Sequence, residues 1–173
     1  VYGTFQFSKT SKVQAIRHVI SPSVSLSYRP DFSDPRYGFY KQVQKDTSGN
    51  LEKYSIFSQG VYGGPQGGRS GSINFSLNNI LEMKVLSPKD TANPVSKIKI
   101  LEGLSFNTSY NLLADSLNWA PITVSGRTSL FDKVNINFAG AFDLYTLDPS
   151  GNRCNTYEYN KSGRFARFTG GSV

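Results

Sequence analysis

The chain has 173 residues and a net charge of +7, and only 38% of its residues are hydrophobic. No stretch approaches 18 consecutive apolar residues, which excludes a transmembrane helix, and one His with one Cys excludes a His/Cys metal site and an internal disulfide. The 19 Lys and Arg are dispersed without a dense basic run, so nothing in the sequence indicates nucleic-acid binding.

Alternation of apolar and polar residues predicts the first strands. A partial strand is predicted at Val1–Phe7 and a full one at Ile16–Arg29. In the full strand the even positions are apolar except for His18, whereas the odd positions carry mainly Ser and Arg. A two-residue period of this kind indicates a strand whose two faces meet different surroundings. His18 lies inside this regular pattern, which favours a structural histidine over a catalytic one.

A long loop is predicted at about residues 30–68. Within it, Phe39–Lys45 and Leu51–Phe57 flank the turn-forming segment Thr47–Asn50, which predicts a hairpin arm. The segment Gly63–Gly68 is rich in Gly but lacks the Gly-Lys-Ser/Thr ending of a phosphate-binding loop. It is therefore predicted to be part of an external loop rather than a nucleotide site.

The remaining strands also follow a period of two residues. They are predicted at Arg69–Val85, Ile98–Leu112, Ile122–Leu130 and Val134–Leu144, with a partial strand at about Gly163–Gly170. The predicted fold is therefore all-β: an antiparallel up-and-down meander of about seven strands, forming an open curved sheet that is part of a transmembrane β-barrel. Both chain ends resemble cuts, and residues 1–173 are predicted to be a fragment of one outer-membrane barrel domain.

The polar face distinguishes a membrane barrel from a soluble β-sandwich, which also alternates. A sandwich usually exposes many Lys and Glu, whereas this face carries mostly Ser, Asn, Thr, Gly and Ala, as a hydrated barrel lumen would. The residues predicted to face lipid are Val24, Leu26, Ile73, Phe75, Leu77, Leu104, Phe106, Ile136 and Phe138. The basic residues predicted to face the lumen are Arg17, Arg29, Lys99 and Arg127.

Loop lengths predict the orientation of the strands. The connections Lys9–Gln14 and Phe131–Lys133 are short, whereas 30–68, Leu113–Ala120 and Tyr145–Ser162 are longer, and bacterial barrels place the longer loops outside. The turn Ser87–Ser96 then lies on the periplasmic side. The aromatic residues predicted at the membrane interface are Tyr28, Tyr62, Tyr110, Trp119 and Tyr145.

Several segments resemble the barrel of one known family. These are Arg17–Pro35, Ser76–Lys84, Leu104–Trp119 and Arg127–Asp148, and together they cover most of the chain. They resemble LptD, also called OstA, the lipopolysaccharide-assembly family of the outer membrane, and most closely its Bacteroidota-type branch. The resemblance lies in the residue pattern along these long segments, and none of them carries a catalytic motif.

The resemblance implies a function that periodicity does not supply. LptD proteins insert lipopolysaccharide into the outer leaflet of the bacterial outer membrane and are not enzymes. The implied partners are lipopolysaccharide, outer-membrane lipids, the rest of the barrel, a periplasmic jelly-roll domain and an LptE-like plug lipoprotein, with no cofactor. The basic residues of the polar face would bind phosphates and acidic sugars, or else pair with Glu and Asp. The alternatives are a porin, a TonB-dependent receptor, and a soluble sandwich binding module.

Overall fold

The strands form an almost entirely β structure in the computed structural model, which describes residues 1–8, 11–86, 95–130 and 134–173. The strands are β1 (Tyr2–Gln6), β2 (Val13–Arg29), β3 (Tyr40–Gln44), β4 (Leu51–Ser55), β5 (Ser70–Leu86), β6 (Val95–Asn111), β7 (Ile122–Leu130), β8 (Val134–Asp143), β9 (Tyr145–Leu147), β10 (Arg153–Tyr157) and β11 (Arg167–Ser172). A 3-10 turn covers Pro35–Tyr37 and a short helix, α1, covers Glu158–Ser162.

The main sheet contains seven strands in the order β1-β2-β5-β6-β7-β8-β11, and every neighbouring pair is antiparallel. The sheet is open, with β1 and β11 at its edges, which confirms the predicted up-and-down meander. The pairs β3–β4 and β9–β10 form separate two-stranded sheets between strands of the main sheet. Strand β3 pairs with β4 from Tyr40 to Gln44, so these two strands form an antiparallel pair within the long loop.

The register keeps like residues on one face of the main sheet. One row of directly paired residues consists of Pro22, Leu77, Phe106 and Val124. The next row, on the opposite face, consists of Ser23, Ser76, Asn107 and Thr123. A slip of one residue would reverse the faces of a whole strand, so these rows show that hydrophobic pattern and pairing agree.

The apolar face is largely uncovered within this chain. Val24 is 66% exposed and Leu26 is 70% exposed. Among the described residues, the buried hydrophobic side chains are only Ala15 and Tyr145. A soluble sandwich would bury such a face beneath a second sheet, so this single-layer arrangement disagrees with the sandwich alternative.

Two local features adapt the sheet to its side chains. The pairing of β5 with β6 shifts register around Leu81, so that the strands form a bulge there. Farther along the sheet, Phe138 of β8 pairs with Gly126 of β7, and a Cβ at Gly126 would overlap the Phe138 ring. The aromatic ring therefore fills the space that the glycine leaves on the apolar face.

The predicted loop Tyr145–Ser162 is wrong in detail, because it contains β9, β10 and α1. These elements are too short, at three to five residues, to show a clear period in the sequence. The helix ends at Gly163, whose φ of 72° closes it in the left-handed conformation. For this reason the last strand begins at Arg167 rather than near Gly163.

Three predicted turns fall wholly or partly outside the described residues. These are Phe131–Lys133, most of Ser87–Ser96, and residues 9–10 of Lys9–Gln14. As for helices, no helix in the described part of the chain has the length and apolar character needed to cross a membrane.

Candidate functional site

The apolar face of the main sheet is the first candidate surface. The register places all the residues predicted to face lipid on this one face: Val24, Leu26, Ile73, Phe75, Leu77, Leu104, Phe106, Ile136 and Phe138. Val24 and Leu26 are each more than half exposed. The face thus has the geometry of a contact surface for another apolar phase, and its contact with lipid remains a prediction.

A polar pair interrupts the apolar face near the bulge. His18 Nε2 donates to Asn79 Oδ1 at 3.1 Å, because the amide oxygen can only accept. Asn79 Nδ2 in turn donates to the carbonyl of Leu104 at 3.3 Å. The histidine is therefore satisfied within the sheet.

The polar face carries the basic residues predicted from the sequence. Arg17 lies 3.8 Å from Glu82 and places its guanidinium 5.2 Å from the ring centroid of Tyr2. Arg127 Nε lies 3.0 Å from Glu102 Oε2. The pairing with acidic residues that the sequence left open therefore occurs for both arginines.

Arg29 has a different role, since it holds the base of the long loop. Its guanidinium donates to Gln66 Oε1 at 2.9 Å and to the carbonyl of Gly68 at 3.4 Å. Lys99 lies on the polar face opposite Glu82 across the β5–β6 pair and is exposed. The four predicted basic residues thus share a face but do not converge on one point.

The predicted interface aromatics lie in different surroundings. Tyr28 and Tyr62 are exposed. Trp119 packs edge-on against Tyr110, with ring centroids 5.1 Å apart, and its ring centroid lies 5.6 Å from that of Phe75. Tyr145 differs from expectation, because it is only 1% exposed.

Tyr145 of β9 is buried because side chains of the neighbouring strand β10 cover its ring. Its ring stacks on Tyr157 with centroids 5.1 Å apart, and Arg153 lies over it at 5.2 Å. A hydrogen bond with Tyr145 raises the pKa of Tyr157 above its usual value. The Tyr145 hydroxyl also accepts the backbone N–H of Trp119 at 3.2 Å, which joins two loops at this end of the sheet.

Asp143 is the centre of a buried ionic cluster beside Tyr145 and is 2% exposed. Its Oδ2 lies 2.7 Å from Arg153 and 3.6 Å from Arg167, while its Oδ1 accepts the Tyr145 N–H at 3.1 Å. Arg153 also donates to the Trp119 carbonyl at 3.1 Å. Sequence reasoning missed the cluster, because its members come from β8, β10 and β11 and meet only through strand pairing.

Comparison with known proteins identifies the family. A family model described as LptD protein matches residues 1–145, which is more than half of the chain. The chain belongs to the LptD family. LptD proteins belong to the outer membrane and take part in lipopolysaccharide transport and assembly. No curated protein and no solved structure matches the chain.

The part of the chain that matches the LptD family model contains strands β1 to β8 and ends at Tyr145. It therefore includes both faces of the sheet and the long loop, whereas β10, α1 and β11 lie beyond it. Within the described residues, no group of three or more His, Cys, Asp or Glu is placed to hold a metal ion. The candidate functional surfaces of this LptD-family chain are therefore the two faces of the sheet and the long loop.

The long loop of this LptD-family chain is closed at its base. Asp31 Oδ1 accepts the N–H of Ser33 at 2.8 Å and that of Gly68 at 2.7 Å. Hydrogen bonding, first from the Ser33 side chain and then from the Gly68 N–H, lowers the pKa of Asp31 to about 2. Tyr40 adds a second tie, since its hydroxyl donates to the Pro65 carbonyl at 3.1 Å.

The Asp31 tie is expected to weaken in acid. Its folded pKa of about 2 lies below the reference value of 3.8, so the contribution is complete above pH 3.8 and is lost as the pH falls towards 2. Pepsin digestion of the folded protein measures this. At pH 4 the wild type should resist cleavage within the loop better than Asp31→Asn, and at pH 2, where about half of the carboxyl is protonated, the difference should be clearly smaller. Equal cleavage of both proteins at pH 4 would contradict the assignment.

Proposed function

We propose that the main sheet is part of an outer-membrane β-barrel that assembles and inserts lipopolysaccharide into the outer leaflet. The observation that carries the proposal is the uncovered apolar face, opposite a polar face, in a chain of the LptD family. In this arrangement the apolar residues contact lipid and the polar face lines a hydrated lumen. The protein acts by conducting and positioning its cargo rather than by catalysis.

The height of the apolar band supports this placement. About ten residues separate Tyr28, at the outer end of β2, from His18, and at ~3.3 Å per residue they span about 33 Å along the strand. With the usual barrel tilt of roughly 40°, this corresponds to a height of about 25 Å, which matches the apolar band of outer-membrane barrels. The loop at 30–68 then lies outside the cell and the turn at 87–96 lies on the periplasmic side.

The proposed partners follow from the two faces and the two edges. Lipids of the outer membrane cover the apolar face, and lipopolysaccharide meets the polar face. Neighbouring barrel strands pair with the exposed edges of β1 and β11, which otherwise leave backbone groups unpaired. A periplasmic jelly-roll domain and an LptE-like plug lipoprotein complete the assembly that the family implies.

A porin or a TonB-dependent receptor would share the same two-faced sheet, and family membership favours lipopolysaccharide assembly over both. Depletion of the full-length protein in its own bacterium separates these functions. We expect surface lipopolysaccharide to fall and permeability to large antibiotics to rise, with recovery when the wild-type gene is restored. Normal surface lipopolysaccharide with loss of uptake of one nutrient would instead identify a receptor and refute the proposal.

A further inference from the structure

The polar face changes character along its strands. Between Arg29 at the base of the 30–68 loop and Arg17, the paired rows are neutral, with residues such as Ser25, Asn74 and Ser109. Towards the opposite end, beyond the bulge at Leu81, the rows become basic. The basic residues of β2, β5 and β6 at this end are Arg17, Lys84, Lys97 and Lys99.

The register brings these charges together on one face. Lys84 and Lys97 are direct partners across the β5–β6 pair, and Lys99 is the partner of Glu82 in the next row on the same face. Like charges placed directly opposite in a sheet destabilise it. The sheet therefore retains a repulsive pair that packing does not require, because both lysines are exposed.

Acidic residues compensate this cluster only in part. Glu82 is the one carboxylate among the described residues that pairs with the cluster, and it lies 3.8 Å from Arg17. Lys84 and Lys97 form no ion pair within the described parts of the chain. The predicted lumen residues Arg29 and Arg127 differ, since the loop and Glu102 already engage them.

A depression of about 400 Å³ lies beside the two lysines. Arg17, Glu82, Lys84 and Lys97 line it, and Thr4 and Gln6 of β1 add a hydroxyl and an amide. Ammonium groups bind phosphate as point charges, while hydroxyl and amide groups can donate to and accept from sugar hydroxyls. The lining thus combines excess positive charge with neutral polar groups on one wall.

We propose that this depression binds a phosphate-bearing saccharide, with Lys84 and Lys97 as the main contacts. The anion relieves the repulsion between the two lysines, which accounts for their direct pairing. The inference rests on the proposed function, in which this end of the polar face is the periplasmic mouth of the lumen. A phosphorylated glycolipid headgroup would meet the basic rows before it reaches the neutral ones.

The test uses the full-length protein in detergent micelles and isothermal titration calorimetry. The probes are the phosphorylated core oligosaccharide released from lipopolysaccharide, the same oligosaccharide after dephosphorylation, and inorganic pyrophosphate. The double variant Lys84→Gln/Lys97→Gln should bind the phosphorylated oligosaccharide at least about tenfold more weakly, the loss expected for one charge-assisted hydrogen bond. Its affinity should also depend less steeply on salt concentration.

The matched control is Lys41→Gln/Lys161→Gln, which removes the same charge from exposed lysines of β3 and α1. We expect it to bind within about twofold of the wild type, because it lies outside the basic rows. Thermal unfolding at low salt gives a second readout. The Tm of Lys84→Gln/Lys97→Gln should not fall, since the variant removes a repulsion, whereas a purely structural role for these lysines would lower it.

Three binding results would contradict the proposal. Unchanged affinity of Lys84→Gln/Lys97→Gln for the phosphorylated oligosaccharide refutes the site. Equal binding of the dephosphorylated oligosaccharide refutes the need for phosphate, and equally tight binding of pyrophosphate refutes the need for the sugar. Any of these results leaves the depletion experiment unaffected. Normal surface lipopolysaccharide after depletion would refute the proposed function, whatever the binding data show.

Discussion

Replacement of Val24 by Arg is expected to lower the free energy of unfolding of the membrane-inserted protein by about 2–4 kcal/mol. Val24 lies about midway between His18 and Tyr28 on the apolar face. In the proposed barrel this position faces the centre of the bilayer, where an arginine loses its hydration. Urea unfolding of the full-length protein in lipid vesicles, followed by tryptophan fluorescence, measures the change.

Ser23→Arg is the matched control, because Ser23 is the adjacent residue on the opposite face. It should change the unfolding free energy by about 0.5 kcal/mol or less, the usual effect of a surface substitution. The contrast is informative because Val24 is 66% exposed within this chain. If water rather than lipid covered Val24, the two arginine variants would be equally stable, and that result would refute the barrel.

Replacement of Asp143 by Asn is expected to destabilise the end of the sheet nearest the 30–68 loop by about 3 kcal/mol. The buried carboxylate neutralises two arginines, and its loss leaves both of them in a poorly hydrated position. Removing one partner of a buried ion pair usually costs about 3–5 kcal/mol of stability. We expect the lower end of this range, because the side chains of Arg153 and Arg167 remain 33% and 29% exposed. The same urea unfolding experiment measures it.

Asp115→Asn provides the comparison for Asp143. The substitution removes the same formal charge from an exposed residue, and the described residues include no hydrogen-bond or ion-pair partner for Asp115. We expect this variant to unfold like the wild type. A loss of stability at Asp143 no larger than that at Asp115 would show that the cluster contributes little.

The sequence predicts the long strands of this protein well, because a two-residue alternation sustained over many residues suits a strand and does not suit a helix. Strand β5 is predicted at Arg69–Val85 and found at Ser70–Leu86. Alternation also fixes which residues share a face, since a shifted register would expose the wrong side of each strand. The position of Val24 and Phe75 on one face is therefore predictable from the sequence.

Features that depend on distant pairing were not predictable. The burial of Tyr145 requires Arg153 and Tyr157 to fold back over it, and neither β9 nor β10 is long enough to show a period. The direct opposition of Lys84 and Lys97 depends on the register beyond the bulge at Leu81. Alternation assigns both lysines to the polar face but cannot place them opposite each other.

The tie between Asp31 and Gly68 has a consequence for how this protein can vary. Because the two ends of the long loop are held together at its base, residues 32–67 leave and rejoin the sheet at the same place. The entropic free-energy cost of closing such a loop rises slowly with its length, by only about 0.6 kcal/mol for each doubling of the number of residues. The loop can therefore lengthen, shorten or change its surface residues while the paired strands keep their register.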